Sequence, residues 1–380
     1  MAPTNDGAHA VIRTGIVGLG KMGLSHLSMI RTHSAIELVG VCDASSYVLS
    51  ILKKYTGVVT YSDYQAMLDD ANLDAVFIAT PSDAHAKMVR AALERDINVF
   101  CEKPFTLSVA DSEDLATLGR ERGLSTQVGY HNRYVAAFAE VKRLLDAGAI
   151  GDITHALGEA YGPVVLKPKG STWRTQSTAG GGCLYDYAAH VINLLNWYIG
   201  EPTGVGGTVL NKIFSRDTDD EVFSTLYFDG GRSAQVSVNW SDESYRKMTT
   251  RVSLWGTAGR IFVDRQECQV YLRDTAKIPD GYTEGWNMRY TTELTAPVWF
   301  YLRGEEYSAQ IDGFARAIAE RRVEAINDFS SATATDRVIG MMIRDAAKGP
   351  TTGPAGAVTA EKATPRRRRG GIFARFRRRR

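Results

Sequence analysis

The sequence predicts two mixed α/β units in series: a doubly wound parallel sheet, then a domain built on a large, mostly antiparallel open β-sheet. Three observations carry that expectation. Short apolar strands alternate with amphipathic stretches through the first third of the chain, the rhythm of a parallel sheet covered by helices on both faces. A run of spaced glycines, Gly18-Leu19-Gly20-Lys21-Met22-Gly23, sits where the first strand meets the first helix. After about residue 150 the helices thin out, and strands follow one another across hairpin signals such as Asp229-Gly230-Gly231.

In the first unit, residues 13–17, 36–42, 74–79, 97–101 and 125–128 read as buried strands. The segments 22–31, 45–54, 84–95 and 108–122 are the helices between them, and such crossovers are right-handed. The second unit has strands near 153–161, 204–214, 222–228, 233–240, 249–255 and 260–272, closed by helices near 306–321 and 332–347. The expected organisation is a disordered lead-in over 1–11, a first domain over 12–135, a second over 136–348, and a disordered tail over 349–380.

Composition narrows the class. With 380 residues, 44% hydrophobic and 23% charged, the chain has room for two cores and the make-up of a soluble globular protein. No apolar run approaches the roughly 20 residues of a membrane-spanning helix. The first residues lack the basic-then-apolar layout of a secretory signal. Cys42, Cys101, Cys183 and Cys268 share no metal-type spacing and suit a reducing compartment, so the expected location is cytoplasmic and no metal is expected.

The net charge of +2 hides two opposite parts. Residues 362–380 contribute +10 and residues 1–361 carry −8. An acidic body gives no footing for nucleic acid. The arginine-rich tail reads as a solvated appendage with weak contact to an anionic membrane surface, where each arginine contributes about 1 kcal/mol. Salt-sensitive binding to anionic vesicles, lost on deleting 362–380 with turnover unchanged, is the expected result. Equal binding by the truncated chain would remove the tail from that role.

The glycine run is a G-x-G-x-x-G in the strand–turn–helix context that dinucleotide binding requires. Gly18 permits the tight turn, Gly20 lets backbone approach a pyrophosphate, and Gly23 allows close helix packing. The helix N-terminus offers N–H groups and positive potential to phosphate. Asp43 ends the second strand, 20 residues past Gly23, where an acid meets the adenosine ribose hydroxyls. A 2′-phosphate there would face like charge, so NAD is expected over NADP.

Two further runs carry chemistry. Cys101-Glu102-Lys103-Pro104-Phe105 ends a strand with an adjacent acid and base, halted by a proline that has no N–H to donate. It reads either as a hydrated strand end or as a reactive ammonium at the carboxyl edge of the sheet. Gly180-Gly181-Gly182-Cys183-Leu184-Tyr185-Asp186-Tyr187-Ala188-Ala189-His190 opens a helical stretch. Asp186 and His190, four apart, share a face with Asn193 close by.

These motifs, with "ATPSDAH" at 79–85 and "NRY" at 132–134, resemble the Gfo/Idh/MocA oxidoreductases, with matching order and spacing over about residues 12–347. The resemblance implies an N-terminal Rossmann domain and a C-terminal open sheet that forms a homo-dimer or homo-tetramer interface. It places Lys103 beside nicotinamide and substrate for proton transfer, Glu102 on the nicotinamide side, and Pro104 in a turn that is commonly cis. Asp186 and His190 match the acid and histidine across the cleft. Thr80, Pro81 and His85 match the cofactor side, and Arg133 lies near the site. Ala188 stands where a glycine is usual. Asn193 stands where an aspartate is frequent, which speaks against a strict inositol dehydrogenase.

The expected reaction is hydride transfer between NAD and a secondary alcohol or ketone of a sugar, cyclitol or their derivative. A free lysine, with a pKa of about 10.4, is a poor base at neutral pH. Burial and a cationic neighbour favour its neutral form, and a carboxylate partner favours the ammonium. Lys103 is the expected principal acid–base group with His190 as its close partner, and Asp186 is expected to fix the histidine or the substrate. Trp173 and Arg174 offer a stacking face and a donor fork to substrate, with Tyr161, Lys167, Arg133 and Asn193 as further contacts. A non-catalytic NAD-binding regulator and an NAD-dependent glycosidase are the competing classes on this fold.

Overall fold

The computed structural model describes residues 11–166, 173–296 and 304–349. Lys167, residues 1–10 of the lead-in and the arginine-rich tail over 362–380 lie outside the described residues.

The first domain runs β1 (Ile12–Val17), α1 (Lys21–Ile30), β2 (Ile36–Cys42), α2 (Ser46–Thr56), β3 (Thr60–Tyr61), α3 (Tyr64–Asp70), β4 (Ala75–Ile78), α4 (His85–Leu93), β5 (Asn98–Cys101), α5 (Val109–Glu121) and β6 (Thr126–Val128). All six strands are parallel, in the order β3-β2-β1-β4-β5-β6. β4 is sealed along its whole length, as a strand covered on both faces must be. The direction of winding reverses between β1 and β4, and the carboxyl ends of strands at such a switch point form the crevice in which these sheets bind ligands. Sequence reading passed over β3 and α3, because two and seven residues are too short for periodicity to show.

After α6 (Ala136–Asp146) the second domain follows as β7 (Ile153–Tyr161), α7 (Ala189–Ile199), β8 (Gly204–Asn211), β9 (Glu221–Tyr227), β10 (Ser233–Asn239), β11 (Arg251–Gly256), β12 (Gly259–Asp264), β13 (Glu267–Leu272), β14 (Gly285–Tyr290), α8 (Thr291–Leu294), α9 (Glu305–Ala319) and α10 (Phe329–Ala347). Its sheet has eight strands, ordered β14-β13-β12-β11-β7-β10-β9-β8. Every pairing is antiparallel except β7 with β10. The stretch 260–272, expected as one strand, is a hairpin. Asp264 accepts the N–H groups of Gln266 and Glu267 and turns the chain without a glycine or proline to announce it. α6, α7 and α10 cover one face. The other face presents Phe223, Tyr227, Tyr271, Trp286 and Tyr290, all exposed. Among the described residues no helix is long and apolar enough to cross a membrane.

The last two helices tie the domains together. α9 returns to the first sheet, where Phe314 packs edge-on against Phe77 and Phe100, with ring centroids 5.5 and 5.9 Å apart. α10 packs on α5, and Phe329 lies against Phe105 at 4.2 Å. α10 also buries a carboxyl. Asp336 is 4% exposed and accepts from the Thr106 N–H and the Ser112 hydroxyl. Burial outweighs those bonds and raises its pKa to about 7.

Because the folded value lies above the unfolded one of about 3.9, this group's contribution to stability is whole below about pH 4 and is lost as pH climbs through 7. Asp336→Asn should therefore gain melting temperature relative to the parent as pH rises from 5 to 8. A gap that does not change with pH would show that the carboxyl is not protonated in the fold.

Candidate active site

The glycine loop after β1 is shaped by contacts a side chain could not make. Gly18 has φ +86°, and a Cβ there would stand 2.6 Å from the Ala79 carbonyl. A Cβ on Gly23 would stand 1.7 Å from the Gly18 oxygen, so α1 is pressed directly against the turn. Gly20 meets nothing within 4 Å and opens on the cleft. It caps α1 without a side-chain bond, leaving N–H groups of the first turn for an anion. Asp43 accepts the Leu19 N–H at 2.6 Å and the Ser45 N–H at 2.7 Å, which fixes its carboxylate at the cleft edge. These residues fit a dinucleotide: donors for pyrophosphate, and a carboxylate with acceptor capacity left for ribose hydroxyls.

That carboxylate would also repel a 2′-phosphate. Asp43→Ser should shift the ratio of NAD(H) to NADP(H) binding towards NADP(H), measured by fluorescence titration. Equal binding of both by the parent would defeat this role for Asp43.

A cleft of about 500 Å³ runs from the loop to the second domain. At its far wall Lys103 leaves β5 through a cis Lys103–Pro104 bond. Its Nζ lies 2.5 Å from Asp186 Oδ1 and 3.1 Å from the Asp186 carbonyl. Arg174 donates to the other carboxylate oxygen at 2.9 Å and stacks on Trp173 at 4.8 Å. Burial would raise the Asp186 pKa, but the charges of Lys103 and Arg174 prevail and hold it at about 2. Asp186 is therefore a permanent anion whose two oxygens are each held by a cation. The sequence offers it to the histidine or to substrate. The fold spends it on Lys103 and Arg174.

The backbone explains that presentation. Leu184–Ala188 forms a wide π-helical turn before α7, a feature frequent at functional sites. Asp219 holds its start, accepting the Leu184 N–H at 2.7 Å, and lies so close to Gly182 that a Cβ would meet its Oδ1 at 2.5 Å. His190 follows at the start of α7, 3% exposed, its Nδ1 without a hydrogen-bond partner. Burial first, then the charges of Lys103 and Arg265, push its pKa well below the ordinary histidine value. It is neutral at working pH.

Glu102 also borders the cleft. Its Oε1 lies 2.7 Å from His26 Nε2 and its Oε2 accepts the Lys103 N–H at 3.2 Å. Burial raises its pKa, yet His26 and Lys103 bring it below the usual carboxylate value.

Thr80, Pro81, Lys21, Met22, Trp173 and Arg174 line the cleft. Four expected positions stand elsewhere. His85 is sealed between the carbonyls of Pro104 and Thr80, at 2.9 and 3.0 Å, and braces the walls from behind. Arg133 does not reach substrate space, because it is buried under α7 with its guanidinium on the Asn193 side chain and carbonyl, at 2.9 and 3.0 Å. Asn193 is consumed by the same contact. Tyr161 points along the sheet, its hydroxyl on Glu159 and Ser237, both at 2.9 Å. Leu19 contributes its N–H and Gly23 its lack of a side chain.

Sequence reading missed His131, Met248 and Tyr307, which also border the cleft. His131 stacks on Tyr307 at 4.8 Å, meets His190 edge-on at 4.9 Å, and lies 3.2 Å from Arg265. Its place just before Asn132-Arg133-Tyr134 was the available signal.

A parallel sheet with a pyrophosphate-shaped glycine loop, opening on a lysine, a carboxylate and a neutral histidine, defines a nicotinamide-dependent oxidoreductase. Residues 12–130 match the oxidoreductase family with an NAD-binding Rossmann fold, and 138–262 match the GFO/IDH/MocA C-terminal domain. The chain belongs to the Gfo/Idh/MocA family and is an NAD-binding oxidoreductase.

It is 29% identical over 259 residues to the scyllo-inositol 2-dehydrogenase (NAD(+)) of Bacillus subtilis (strain 168), covering 66% of this chain and 73% of that one. It is 25% identical over 329 residues to inositol 2-dehydrogenase 3 of Saccharopolyspora erythraea, covering 83% and 93%. Among solved structures, levoglucosan dehydrogenase in complex with NADH and L-sorbose superposes with a TM-score of 0.78 at 24% identity, over 89% of this chain and 97% of that one. At that identity the likeness is one of fold.

Proposed function

We propose that this oxidoreductase exchanges hydride between NAD and a secondary alcohol or ketone of a sugar, cyclitol or sugar derivative. The observation that carries the reading is the placement of Lys103, locked on Asp186, and neutral His190 in the cleft that begins at the glycine loop. Relatives named for inositols support a polyol substrate.

NAD, when bound, supplies the hydride acceptor at its nicotinamide. Residues 18–23 and Asp43 bind and orient it. Lys103 contacts the reacting hydroxyl and moves its proton, and the neutral imidazole of His190 has a lone pair to receive that proton. Asp186 stays ionised throughout and fixes Lys103 and Arg174. The Arg174–Trp173 stack offers a flat, donor-rich wall to a ring with hydroxyls.

The test is NAD⁺ reduction across free sugars, inositols and nucleotide sugars. NADH accumulation with a free polyol supports the reading. Sugar release without net NADH would make the protein a glycosidase, and NAD binding without turnover on the whole panel would make it a regulator.

The proposal extends to a homo-dimer or homo-tetramer through the aromatic face of the eight-stranded sheet. Sedimentation would test it, with Trp286→Asp expected to dissociate the assembly; a monomeric parent overturns it. The four free, buried cysteines support a cytoplasmic setting, which fractionation of the expressing cell would test.

A further inference from the structure

We propose that Asp336 is a positioning residue for the reaction: from α10 it holds the turn that carries Lys103, while its neighbour Thr335 holds the helix that carries His190. The inference rests on the reading of Lys103 as the acid–base group.

The turn has little support of its own. The last ladder bond of β5 runs from the Glu102 N–H to the Ile78 carbonyl. Beyond it, the Lys103 N–H turns to the carboxylate of Glu102 and the Ser108 N–H to the Thr106 hydroxyl, both local partners. The Thr106 N–H reaches across 230 residues to Asp336 Oδ2, at 3.2 Å. His85 clamps the Pro104 and Phe105 carbonyls from α4, inside the first domain. Asp336 and the Phe329–Phe105 contact are what α10 adds.

One residue earlier on α10, the Thr335 hydroxyl accepts from Asn193 Nδ2 at 3.3 Å. Asn193 stands three residues past His190 on α7 and is itself gripped by Arg133. Two consecutive residues of one helix thus reach both walls of the cleft. The distance they span is the one that matters, since Lys103 and Asp186 meet across it at 2.5 Å.

The arrangement is costly as mere packing. Asp336 Oδ1 is buried without a partner, and a buried polar atom left unmade destabilises the fold. Misplacement of a reacting group by about 1 Å can lower turnover by roughly 10²-fold, so a rigid strut across the cleft has a functional return that stability alone does not provide.

The test compares Asp336→Leu, which fills the space but accepts nothing, with Asp336→Asn, which keeps a carbonyl oxygen for the Thr106 N–H. Thr335→Val, near-isosteric, probes the other arm, and Lys103→Ala is run alongside. Steady-state kinetics and NAD titration are read for each on the full chain. Asp336→Leu should lose about 10- to 100-fold in kcat, with KM and NAD affinity little changed. Asp336→Asn should recover kcat to within a few-fold of the parent, and Thr335→Val should lower it several-fold.

Parent-like kcat in both Asp336→Leu and Thr335→Val overturns the inference. So does an Asp336→Asn as slow as the leucine variant, or a loss of NAD binding that parallels the loss of kcat. If Asp336→Leu does not fold, an unchanged kcat in Thr335→Val overturns it. A Lys103→Ala variant with parent turnover would instead remove the reading of Lys103 on which the inference stands.

Discussion

Lys103→Ala is expected to lower turnover about 10²- to 10⁴-fold, the usual worth of a positioned acid–base group, and to leave NAD affinity little changed. The proposed binding contacts, the glycine loop and Asp43, border the cleft beside other residues. Removal of the ammonium leaves Asp186 paired with Arg174 at 2.9 Å, so the carboxylate is not stranded and the fold should persist. The pH–rate profile is recorded with it. His190 gives no limb near its ordinary value: its pKa is pushed well below 6.5, so the imidazole is already neutral as pH rises through that range. Turnover within a few-fold of the parent would remove Lys103 from the chemistry and leave proton transfer to His190.

The second large effect separates two glycines of one motif. Gly23→Ala places a methyl 1.7 Å from the Gly18 carbonyl oxygen, a distance no rotamer can relieve because the Cβ position is fixed by the backbone and its neighbour is a backbone oxygen. The turn must open. Overpacking of this kind costs about 1–3 kcal/mol, and melting temperature and NAD affinity should fall together.

Gly20→Ala meets nothing within 4 Å, and Gly20 has ordinary extended dihedrals, φ −67° and ψ −168°. The apo protein should melt as the parent does. Its NAD affinity should still fall by about tenfold or more, roughly 1.4 kcal/mol, because the methyl occupies the path by which pyrophosphate nears the backbone. Parent-like NAD affinity in Gly20→Ala would mean that pyrophosphate does not lie over this loop. A parent-like melting temperature in Gly23→Ala would mean that α1 can back away.

The two sites differ in how much of them is written locally. Gly18, Gly20 and Gly23 lie within six residues, and Asp43 ends the neighbouring strand, so spacing along the chain already implied spacing in space. The alternation of apolar strands and amphipathic helices likewise gave the parallel sheet, because burial on both faces imposes a pattern on every strand. Elements of two to seven residues, such as β3 and α3, are too brief to impose one. The Asp264 hairpin is made by a side chain rather than by glycine or proline, and so leaves no punctuation to read.

Motif resemblance brought Lys103, Asp186 and His190 together on paper, but their bonding was decided by tertiary structure. Asp186 pairs with Lys103, 83 positions away, and Glu102 with His26, 76 positions away. Arg133 and Asn193 look like site residues in the sequence and become a buried brace once α7, which carries Asn193, packs over Arg133. A carboxylate or guanidinium carries the same charge wherever it stands. Which partner it takes depends on which groups the folded backbone brings within about 3 Å and on how much water the packing leaves there. Those two quantities exist only after the chain has folded.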